Sequence, residues 1–326
     1  MEMFYSYKDV VLQPAYSEIE SRSKLDASVE FLGKRFESVA IPANMKCTIN
    51  FKKARELSEA GYFYVLHRFY DYEDILNWMI ENKDMKTISI SIGVNKKDYD
   101  FVDKIIEKGI RVDFITIDVA HGHHVLVKNM ITYIKDKFNV KIIAGNIGTY
   151  EAATDLYEWG ADAVKIGLSM GKSCTTYNCT GVGTPMFSAV KSIAKGKFFS
   201  WEDDIPIIAD GQIREVGDVC KALVAGANMV MIGSEFAKCE DSPADIIGGP
   251  ALDNVNKKVF FGSASSTNKG HDGYVEGQTV YMDMRNETYI QYFNRINQGV
   301  QSCMSYAGTN NINNLSDMDY KYRLIN

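Results

Sequence analysis

The sequence predicts an α/β protein, a TIM (β/α)8 barrel with an N-terminal extension and a long loop or flap after the eighth strand. Three observations predict it: short apolar runs alternate with amphipathic segments, eight such runs occur, and nearly all end in glycine or a polar residue. The chain has 326 residues, and barrels of this type commonly occupy about 250 residues or more as one unit. We therefore expect one barrel domain over residues 1–326.

Eight runs rich in Val, Ile and other apolar residues have the length of strands that are buried on both faces. In chain order, these predicted strands are residues 39–43, 62–66, 87–92, 113–118, 140–145, 162–167, 206–210 and 228–233. Both a doubly wound sheet and a barrel alternate strands with helices in this way. The count of eight favours the barrel.

Seven segments between these strands have apolar residues at helical spacing. They are residues 52–60, 72–82, 99–108, 124–138, 150–159, 186–194 and 216–225. Three segments fit no βα unit: the N-terminal 1–38, the loop 168–183 and the stretch 250–285 after the eighth strand. Because loops of this length in a compact domain are usually functional, we expect the site to draw on them.

Composition and charge exclude several classes of function. The formal net charge is −6 and the basic residues are scattered, so the chain lacks the basic surface of a nucleic-acid-binding protein. The six cysteines form no C-x-x-C pair, which favours reduced intracellular thiols over a disulfide scaffold or a zinc knuckle. No apolar run reaches the roughly 18 residues of a membrane span, and the N-terminus lacks the apolar core of a signal peptide. We expect a cytoplasmic protein that binds neither nucleic acid nor membrane.

Polar residues and glycines follow the predicted strands at the end where barrels of this kind carry their chemistry. In chain order they are Asn44, His67, Arg68, Gly93, Asp118, Gly145, Asn146, the segment 167–174, Asp210, Gly211, Gly233 and Ser234. Each one alone is better explained as a turn or capping residue. Their recurrence after nearly every strand favours a binding site at this end of the barrel.

The loop after the sixth predicted strand reads GLSMGKSCTTYNCTGVGTP and holds Cys174 near its middle. Its glycines allow the backbone to approach a ligand or an ion closely. A reactive thiolate needs a polar and accessible setting, which favours a nucleophile over an inert thiol at Cys174. Cys220 and Cys303 lie within probable helices, where small core side chains are the better explanation.

The last two predicted strands end in a pattern typical of phosphate binding. Gly233 and Ser234 follow the eighth strand and open a helix, whose free amides attract an anion, with a plain helix cap as the alternative. Asp210, followed by Gly211, is placed to accept hydrogen bonds from a ribose diol, or else to cap a helix. Together they favour a ligand with a phosphate and a ribose.

Several ordered stretches are specific enough to identify a family. They include SRSKLD, IPANM, HRF, ITIDVAHGH, AGNIGT, GKSCTTYNCTGVGTP, the PIIADG and MIGS pair, FGSAS and VEGQTV, and they extend over nearly the whole chain. On these motifs the chain resembles the IMP dehydrogenase/GMP reductase family. The resemblance implies a barrel in which a cysteine thiolate adds to carbon 2 of a purine nucleotide and forms a covalent thioimidate.

Two features separate the branches of that family. Its dehydrogenases hydrolyse the thioimidate with a flap that carries an arginine base, and they typically contain an inserted regulatory domain. Here the segment STNKGHDGY between FGSAS and VEG has no arginine, and the second helix leads straight into the third strand. The resemblance therefore implies NADPH-dependent deamination of GMP to IMP and ammonia, a step of purine salvage, by a barrel without an inserted domain. The alternatives are an insert-free dehydrogenase, which makes XMP from IMP and NAD, and a purine-nucleotide-binding protein without turnover.

Roles of the substrate-side residues carry over from the resemblance position by position. Cys174 is implied as the nucleophile, with Thr176 and Glu276 as the relay that protonates the departing ammonia. The residues implied to hold the ribose, phosphate and base of GMP or IMP are Asp210, Gly211, Gly233, Ser234, Gly262, Ser263 and Gly277.

The resemblance also implies a cofactor side of the site. Its residues are Asp118, Val119, Ala120, Arg68, Ser21 and Arg22. The first three correspond to nicotinamide contacts, and the planar fork of Arg68 suits phosphate recognition. The last two are implied to reach the cofactor of a neighbouring subunit, which implies a homotetramer. A monovalent cation, usually potassium in this family, is implied near Gly171 and the carbonyl of Cys174.

Four positions depart from the family pattern. Ser169 and Gln212 stand where glycine is usual, whereas Tyr177 and Gly273 stand where basic residues are common. Ser169 and Tyr177 weaken the assignment of potassium, and Gln212 could reshape the nucleotide site. Outside these motifs, His67 could orient a catalytic group, although a structural hydrogen bond is the favoured explanation.

Overall fold

The structure, a computed structural model, describes residues 4–169, 171–200, 205–248, 256–262, 265, 277–317 and 322–324. Its N-terminal extension contains three short strands. They are β1 (Val10–Leu12), β2 (Val29–Phe31) and β3 (Lys34–Phe36). The last two form an antiparallel hairpin. Its turn residues Leu32 and Gly33 both have positive φ, 51° and 82°, as the tight turns of such hairpins require.

Seven parallel strands form the central curled sheet, which is the architecture of a TIM-like barrel. They are β4 (Ala40–Pro42), β5 (Ser89–Ile92), β6 (Phe114–Asp118), β7 (Lys141–Ile147), β8 (Ala163–Ile166), β9 (Ile207–Asp210) and β10 (Met229–Ile232). The order across the sheet is β4-β10-β9-β8-β7-β6-β5, so the first of these strands lies beside the last. This order is the one that a barrel with consecutive βα units predicts.

The second predicted strand, residues 62–66, is reduced to a single bridge. Leu66 pairs in parallel with Ile90 of β5 and is the only residue of the stretch that does so. The side chains are nevertheless buried, and the hydroxyl of Tyr64 donates to the carbonyl of Thr87 over 2.9 Å. Residues 62–66 therefore lie along the edge of β5, in the place of the barrel's second strand, without forming a continuous ladder of backbone hydrogen bonds.

Helices follow the barrel strands much as predicted. Up to β10 they are α1 (Phe51–Glu59), α2 (Tyr72–Glu81), α3 (Lys96–Glu107), α4 (Val125–Lys137), α5 (Tyr150–Glu158), α6 (Thr176–Thr180), α7 (Met186–Ser200) and α8 (Val216–Ala225). Seven of these match the predicted helices within a few residues, and α7 extends further than predicted. The short α6 lies inside the loop 168–183 and was not predicted. Polar caps start several of them, as where Asn50 accepts a hydrogen bond from the backbone of Lys53.

The chain after β10 contains more regular structure than the sequence indicated. Its elements are α9 (Ser234–Ala237), β11 (Ile246–Ile247), β12 (Lys257–Phe261), β13 (Thr279–Asp283), α10 (Tyr289–Ala307), α11 (Asn314–Asp317) and β14 (Tyr322–Leu324). β11, β12 and β13 form a small antiparallel sheet, and β14 pairs with β1. None of the helices in the described part of the chain has the length and apolar character needed to cross a bilayer.

Aromatic side chains close one end of the barrel. The ring of Phe36, from the β2–β3 hairpin, lies 4.9 Å from that of Phe63, which lies 5.1 Å from that of Phe114. Phe114 is the first residue of β6, so the hairpin covers the amino-terminal ends of the strands. The opposite end, where the strands finish, carries the site residues that were predicted at the strand ends.

Candidate active site

The carboxyl ends of β6 to β9 meet around one buried ammonium group. The side chain of Lys165, in β8, is 2% exposed, and its Nζ lies 2.7 Å from Oδ2 of Asp210 and 3.0 Å from Oδ1 of Asp118. It also donates to Oδ1 of Asn146. An ammonium group has three N–H donors. Each is therefore matched by one oxygen, from β9, β6 and β7 respectively.

Charges in this cluster keep one another ionised. Burial alone would lower the pKa of Lys165, but the carboxylates of Asp210 and Asp118 outweigh burial and raise that pKa. Burial also opposes the charge of Asp118, yet the cations of Lys165 and Arg68 hold its pKa below the usual range. Lys165 and Asp118 are therefore both charged at neutral pH.

Asp210 keeps one oxygen for a ligand. Its Oδ2 accepts from Nζ of Lys165 and from Nδ2 of Asn146, at 2.7 and 2.9 Å. No residue in the described ranges donates to Oδ1, and the side chain is 21% exposed. Gly167 lies directly behind, where a Cβ atom would come 1.9 Å from the carbonyl oxygen of Asp210. Only glycine fits there. The backbone of Asp210 therefore packs against Gly167, while its side chain remains partly exposed.

The loop between β8 and α6 presents a partly exposed thiol. The Sγ of Cys174 donates to Oγ1 of Thr176 over 3.2 Å. The backbone N–H of Cys174 donates to the carbonyl of Gly171 over 3.1 Å and closes a tight turn. A thiol that already points its proton at a hydroxyl has a path for losing it, which is what a sulfur nucleophile requires.

Both strands of the β12–β13 hairpin contact this loop, at the end of the hairpin where the connection between them leaves and returns. Cys174 forms an antiparallel bridge with Gly277, and the N–H of Gln278 donates to the carbonyl of Ser173 over 2.8 Å. On the β12 side, a Cβ atom on Gly262 would lie 2.8 Å from Oγ of Ser173. The hairpin thus fixes the backbone on either side of the sulfur. The predicted residues Ser263 and Glu276 lie outside the described residues.

Basic groups gather near the predicted phosphate position. Ser234 is the buried first residue of α9, and Gly233 precedes it. Burial, together with the positive charges of Lys238 and Arg214, lowers the pKa of Lys172. Glu235, 2.7 Å from Nζ of Lys238, offsets part of this effect, and a bound anion would stabilise the charged form of Lys172 further. The arrangement fits a phosphate group.

The end of β6 and the loop after it contain three of the residues that the sequence predicts to contact a cofactor, Asp118, Val119 and Ala120. Val119 exchanges backbone hydrogen bonds with the β7 end, donating to Gly145 over 3.0 Å and accepting from Asn146 over 2.8 Å, while Ala120 is exposed. The Nε of Arg68 is buried and has no acceptor among the described residues. A buried donor without a partner is costly, so a bound group with an acceptor oxygen would stabilise it. These features fit a nicotinamide cofactor.

Ser21 precedes a short 3₁₀ helix, Arg22–Lys24, of which Arg22 is the first residue. Nη1 of Arg22 donates to Oγ of Ser302 in α10 over 2.9 Å, and Ser21 contacts Ser23. With Val216 and other residues, Arg22 lines a cleft of about 660 Å³. No hydrogen bond or ion pair within the described ranges connects the two residues to the strand-end cluster.

Two departures from the family pattern have an unusual backbone. Ser169 and Gln212, which stand where glycine is usual, have φ of 65° and 58°. This left-handed region costs a residue with a side chain about 1 kcal/mol or more. The backbone therefore retains the conformation for which glycine is suited. Within the described ranges, no group of three His, Cys, Asp or Glu side chains could hold a metal ion, so a cation near Gly171 would rest on backbone carbonyls.

His67 has a structural environment. Burial and the nearby charge of Lys46 lower its pKa to about 4. Its Nδ1 accepts from the N–H of Phe69 over 3.2 Å, and its ring stacks on Tyr70. The imidazole is therefore neutral at physiological pH and has its own partners, in line with the favoured explanation.

Sequence reasoning missed Lys165 and Lys172. Lys165 was counted as part of the apolar run 162–167, although a lysine inside a strand buried on both faces is itself a signal, since such a charge needs partners. The identity of those partners depends on strand order. Lys172 stands beside Ser173 in the cysteine loop, where the sequence cannot show that Arg214 and Lys238 lie near it.

Comparison with known proteins gives a consistent result. A model of the IMP dehydrogenase / GMP reductase domain matches residues 4–325. A protein named GMP reductase from Acidovorax ebreus is 42% identical over 98% of this chain and 96% of its own length. Proteins of the same name from Bacillus licheniformis and Staphylococcus carnosus are 41% and 40% identical, over 98% and 97% of this chain and 96% and 95% of their own lengths.

Proposed function

Because this chain belongs to the IMP dehydrogenase/GMP reductase family, we propose that it converts GMP, NADPH and a proton into IMP, ammonia and NADP⁺. Relatives named GMP reductase match it at about 42% identity over nearly its full length. The observation that carries the proposal is the sulfur of Cys174. It is partly exposed, lies 3.2 Å from the hydroxyl of Thr176, and sits on a loop that the β12–β13 hairpin holds in place.

The proposed chemistry begins at this sulfur. Cys174 passes its proton through Thr176 to the carboxylate of Glu276, and the thiolate bonds to carbon 2 of GMP. The relay of Thr176 and Glu276 protonates the amino group, which leaves as ammonia and gives a thioimidate on Cys174. NADPH supplies the hydride when bound. Carbon 2 gains that hydride, the carbon–sulfur bond breaks, and the thiolate is regenerated as IMP leaves.

Substrate binding is assigned to the strand ends. Oδ1 of Asp210, which no described residue engages, accepts from the ribose hydroxyls, while Gly233 and Ser234 hold the phosphate with Lys172 nearby. Gly211, Gly262, Ser263 and Gly277 border the nucleotide. Holding the ring still in front of a nucleophile supplies much of the rate enhancement in such reactions.

The cofactor is proposed to be NADPH. Asp118, Val119 and Ala120 lie on its nicotinamide side, and the unpartnered Nε of Arg68 donates to it. Ser21 and Arg22 are proposed to reach the cofactor of a neighbouring chain in a homotetramer. This agrees with the exposed position of Arg22, which contacts Ser302 of α10. A potassium ion is proposed at the carbonyls of Gly171 and Cys174. We place the enzyme in the cytoplasm. We also regard residues 1–326 as one catalytic domain, because only seven residues separate α2 from β5 and leave no room for an inserted domain there.

The rival activity is oxidation of IMP to XMP with NAD. The stretch 263–276 contains no arginine to act as the base for hydrolysis, and this favours the reductase. The test is to follow the absorbance of reduced nicotinamide on mixing the protein with GMP and NADPH, and to identify IMP and ammonia. XMP formed from IMP and NAD at a comparable rate would overturn the assignment. Binding of GMP without any turnover would favour a nucleotide-binding protein.

A further inference from the structure

Lys165 lies between two groups that the proposed function assigns to different ligands. Asp210, 2.7 Å away, belongs to the nucleotide subsite, and Asp118, 3.0 Å away, belongs to the cofactor subsite. One ammonium group therefore holds a carboxylate from each. Asn146 completes the link, since it accepts from Lys165 and donates to Oδ2 of Asp210.

The surrounding backbone leaves this lysine little freedom. A Cβ atom on Gly145 would lie 2.8 Å from Cβ of Lys165 and 2.5 Å from its carbonyl oxygen. The neighbouring strand thus needs glycine at position 145, because β7 packs closely against the backbone and Cβ of residue 165. With all three N–H groups matched and the side chain 2% exposed, the ammonium group has no alternative partner in water.

Without the lysine, the two carboxylates would face each other inside the protein. Like charges at such a distance in a poorly solvated site repel strongly. The ammonium group balances the two charges and links the two carboxylates to each other. Any ligand that orders Asp210 therefore also orders Lys165, and through it Asp118.

We propose that Lys165 is a positioning residue that couples the nucleotide subsite to the cofactor subsite, so that GMP and the nicotinamide cofactor each bind more tightly when the other is present. The inference rests on the proposed function, because it takes GMP and the cofactor as the two ligands. Its physical basis is shared order: the first ligand restricts the remaining motion of the linked Asp210, Lys165 and Asp118 side chains, so the second ligand loses less entropy on binding. Lys165 itself touches neither reacting atom.

The test measures binding with the unreactive pair GMP and NADP⁺, so that no turnover intervenes. We expect calorimetry on the wild-type protein to give a Kd for GMP about 5-fold or more lower in the presence of saturating NADP⁺. The same factor must apply to NADP⁺ when GMP is added, because coupling is reciprocal. In Lys165→Met the factor should fall to about 1, and Lys165→Arg, which keeps the charge, should retain part of it.

Lys258 offers a matched control. It is as buried as Lys165, at 1% exposed, but its Nζ donates to the carbonyls of Glu240, Ser242 and Ala244 and contacts no carboxylate of the site. Lys258→Met should lower the melting temperature and leave the coupling factor unchanged. Loss of coupling in Lys258→Met to the same extent as in Lys165→Met would show that the effect is only loss of stability, and would overturn the proposal.

A second variant keeps the inference testable if Lys165→Met does not fold. Asp210→Asn retains the shape of the side chain but weakens its hold on Lys165. We expect it to raise the Kd for NADP⁺ measured without any nucleotide by about 3-fold to 10-fold, although Asp210 is assigned only to the substrate ribose. An unchanged Kd for NADP⁺, or a wild-type coupling factor of 1, overturns the inference. Absence of GMP-dependent NADPH oxidation in the wild type would instead overturn the proposed function.

Discussion

Sγ of Cys174 and Oγ1 of Thr176 lie 3.2 Å apart, with the thiol as donor, at the start of α6. The hydroxyl is thus the nearest group to which the sulfur can pass its proton. We predict that Cys174→Ala binds GMP with nearly wild-type affinity but lowers NADPH oxidation by at least about 10³-fold, because the bond to carbon 2 cannot form. Calorimetry and the loss of reduced-nicotinamide absorbance measure the two effects.

Cys179→Ala is the control for this prediction. Cys179 is exposed on α6, five residues further along, and is assigned no role. Its removal should leave turnover within about 2-fold of wild type. Residual turnover in Cys174→Ala comparable to that of Cys179→Ala would remove Cys174 from its role.

Thr176 and Glu276 should act on the release of ammonia. Thr176→Val removes the hydroxyl at nearly constant volume, and we expect kcat to fall by about 10²-fold to 10⁴-fold, whereas Thr176→Ser restores most of the rate. Glu276→Gln should slow formation of the thioimidate more than the hydride step. Single-turnover measurements that separate ammonia release from NADPH oxidation check this, and equal slowing of both steps would count against the relay.

Lys172 should contribute to binding of the phosphate rather than to chemistry. Because burial and the charges of Lys238 and Arg214 disfavour the ammonium form of Lys172, a bound phosphate would stabilise that form. We expect Lys172→Ser to raise KM for GMP about 10-fold or more, the loss of one charge-assisted hydrogen bond, with little change in kcat. Steady-state kinetics, which give KM and kcat separately, check this prediction.

Lys108→Ser is the control that tests whether losing any positive charge from the protein surface has the same effect. Lys108 is exposed at the carboxyl-terminal end of α3, on the opposite side of the barrel from the strand ends. Its loss should leave KM for GMP unchanged. A similar rise in both variants would point to overall charge instead of a specific contact.

His67 should make stability depend on pH in the acid range. Its pKa in the folded protein is about 4, below the value of 6.5 expected in the unfolded chain. Above pH 6.5 both states hold a neutral imidazole, and between pH 6.5 and 4 only the unfolded state binds the proton. The free energy of unfolding should therefore fall by about 3 kcal/mol over that interval from this residue alone.

Chemical denaturation of wild type and His67→Gln at several pH values isolates the contribution of the histidine. The difference between the two proteins should shrink as the pH falls from 6.5 to 4. His121→Gln, at an exposed position, should follow the wild-type curve. Parallel curves for wild type and His67→Gln would contradict the assigned pKa.

Two glycines should respond to alanine in opposite directions. Gly145→Ala places a methyl group 2.5 Å from the carbonyl oxygen of Lys165, and we expect it to destabilise the protein by about 1–3 kcal/mol. Gly217, in α8, has no atom within 4 Å of the added carbon. Gly217→Ala should stabilise the protein by about 0.4–1 kcal/mol, because it restricts the unfolded chain. Thermal unfolding distinguishes the two, and stabilisation by Gly145→Ala would refute the packing described here.

The barrel was predictable because its strands are continuous apolar runs, each followed by a helix of suitable length. Residues 62–66 have the same composition but form only the bridge at Leu66, since pairing is decided by tertiary contacts that composition does not record. The 19-residue helix α10 carried a readable signal, a capping box at Thr288 and Gln291, that was overlooked. The β12–β13 hairpin has a weaker sequence signal, because its contacts with Ser173 and Cys174 are apparent only in the folded structure.

Site residues that stand in a recognisable sequence motif were predictable. Those whose importance depends on a contact between distant parts of the chain were not. Cys174 and Asp210 stand in recognisable stretches at strand ends, so the sequence alone singles them out. Lys165 gains its significance from Asp118 and Asp210, which are 47 and 45 residues away in the chain and meet it only because β6, β8 and β9 end together. Long-range charge partners of this kind cannot be read from local pattern.

The anchoring of Gly262 against Ser173 and of Gly277 against Cys174 has an evolutionary consequence. Residues 263–276 are inserted between two points that are each tied to the nucleophile loop. Mutation, insertion or deletion within residues 266–275, which exclude the assigned site residues Ser263 and Glu276, can therefore accumulate while the sulfur keeps its place. A common ancestor equipped in this way could diverge into enzymes with different second half-reactions by rewriting one short stretch of the gene.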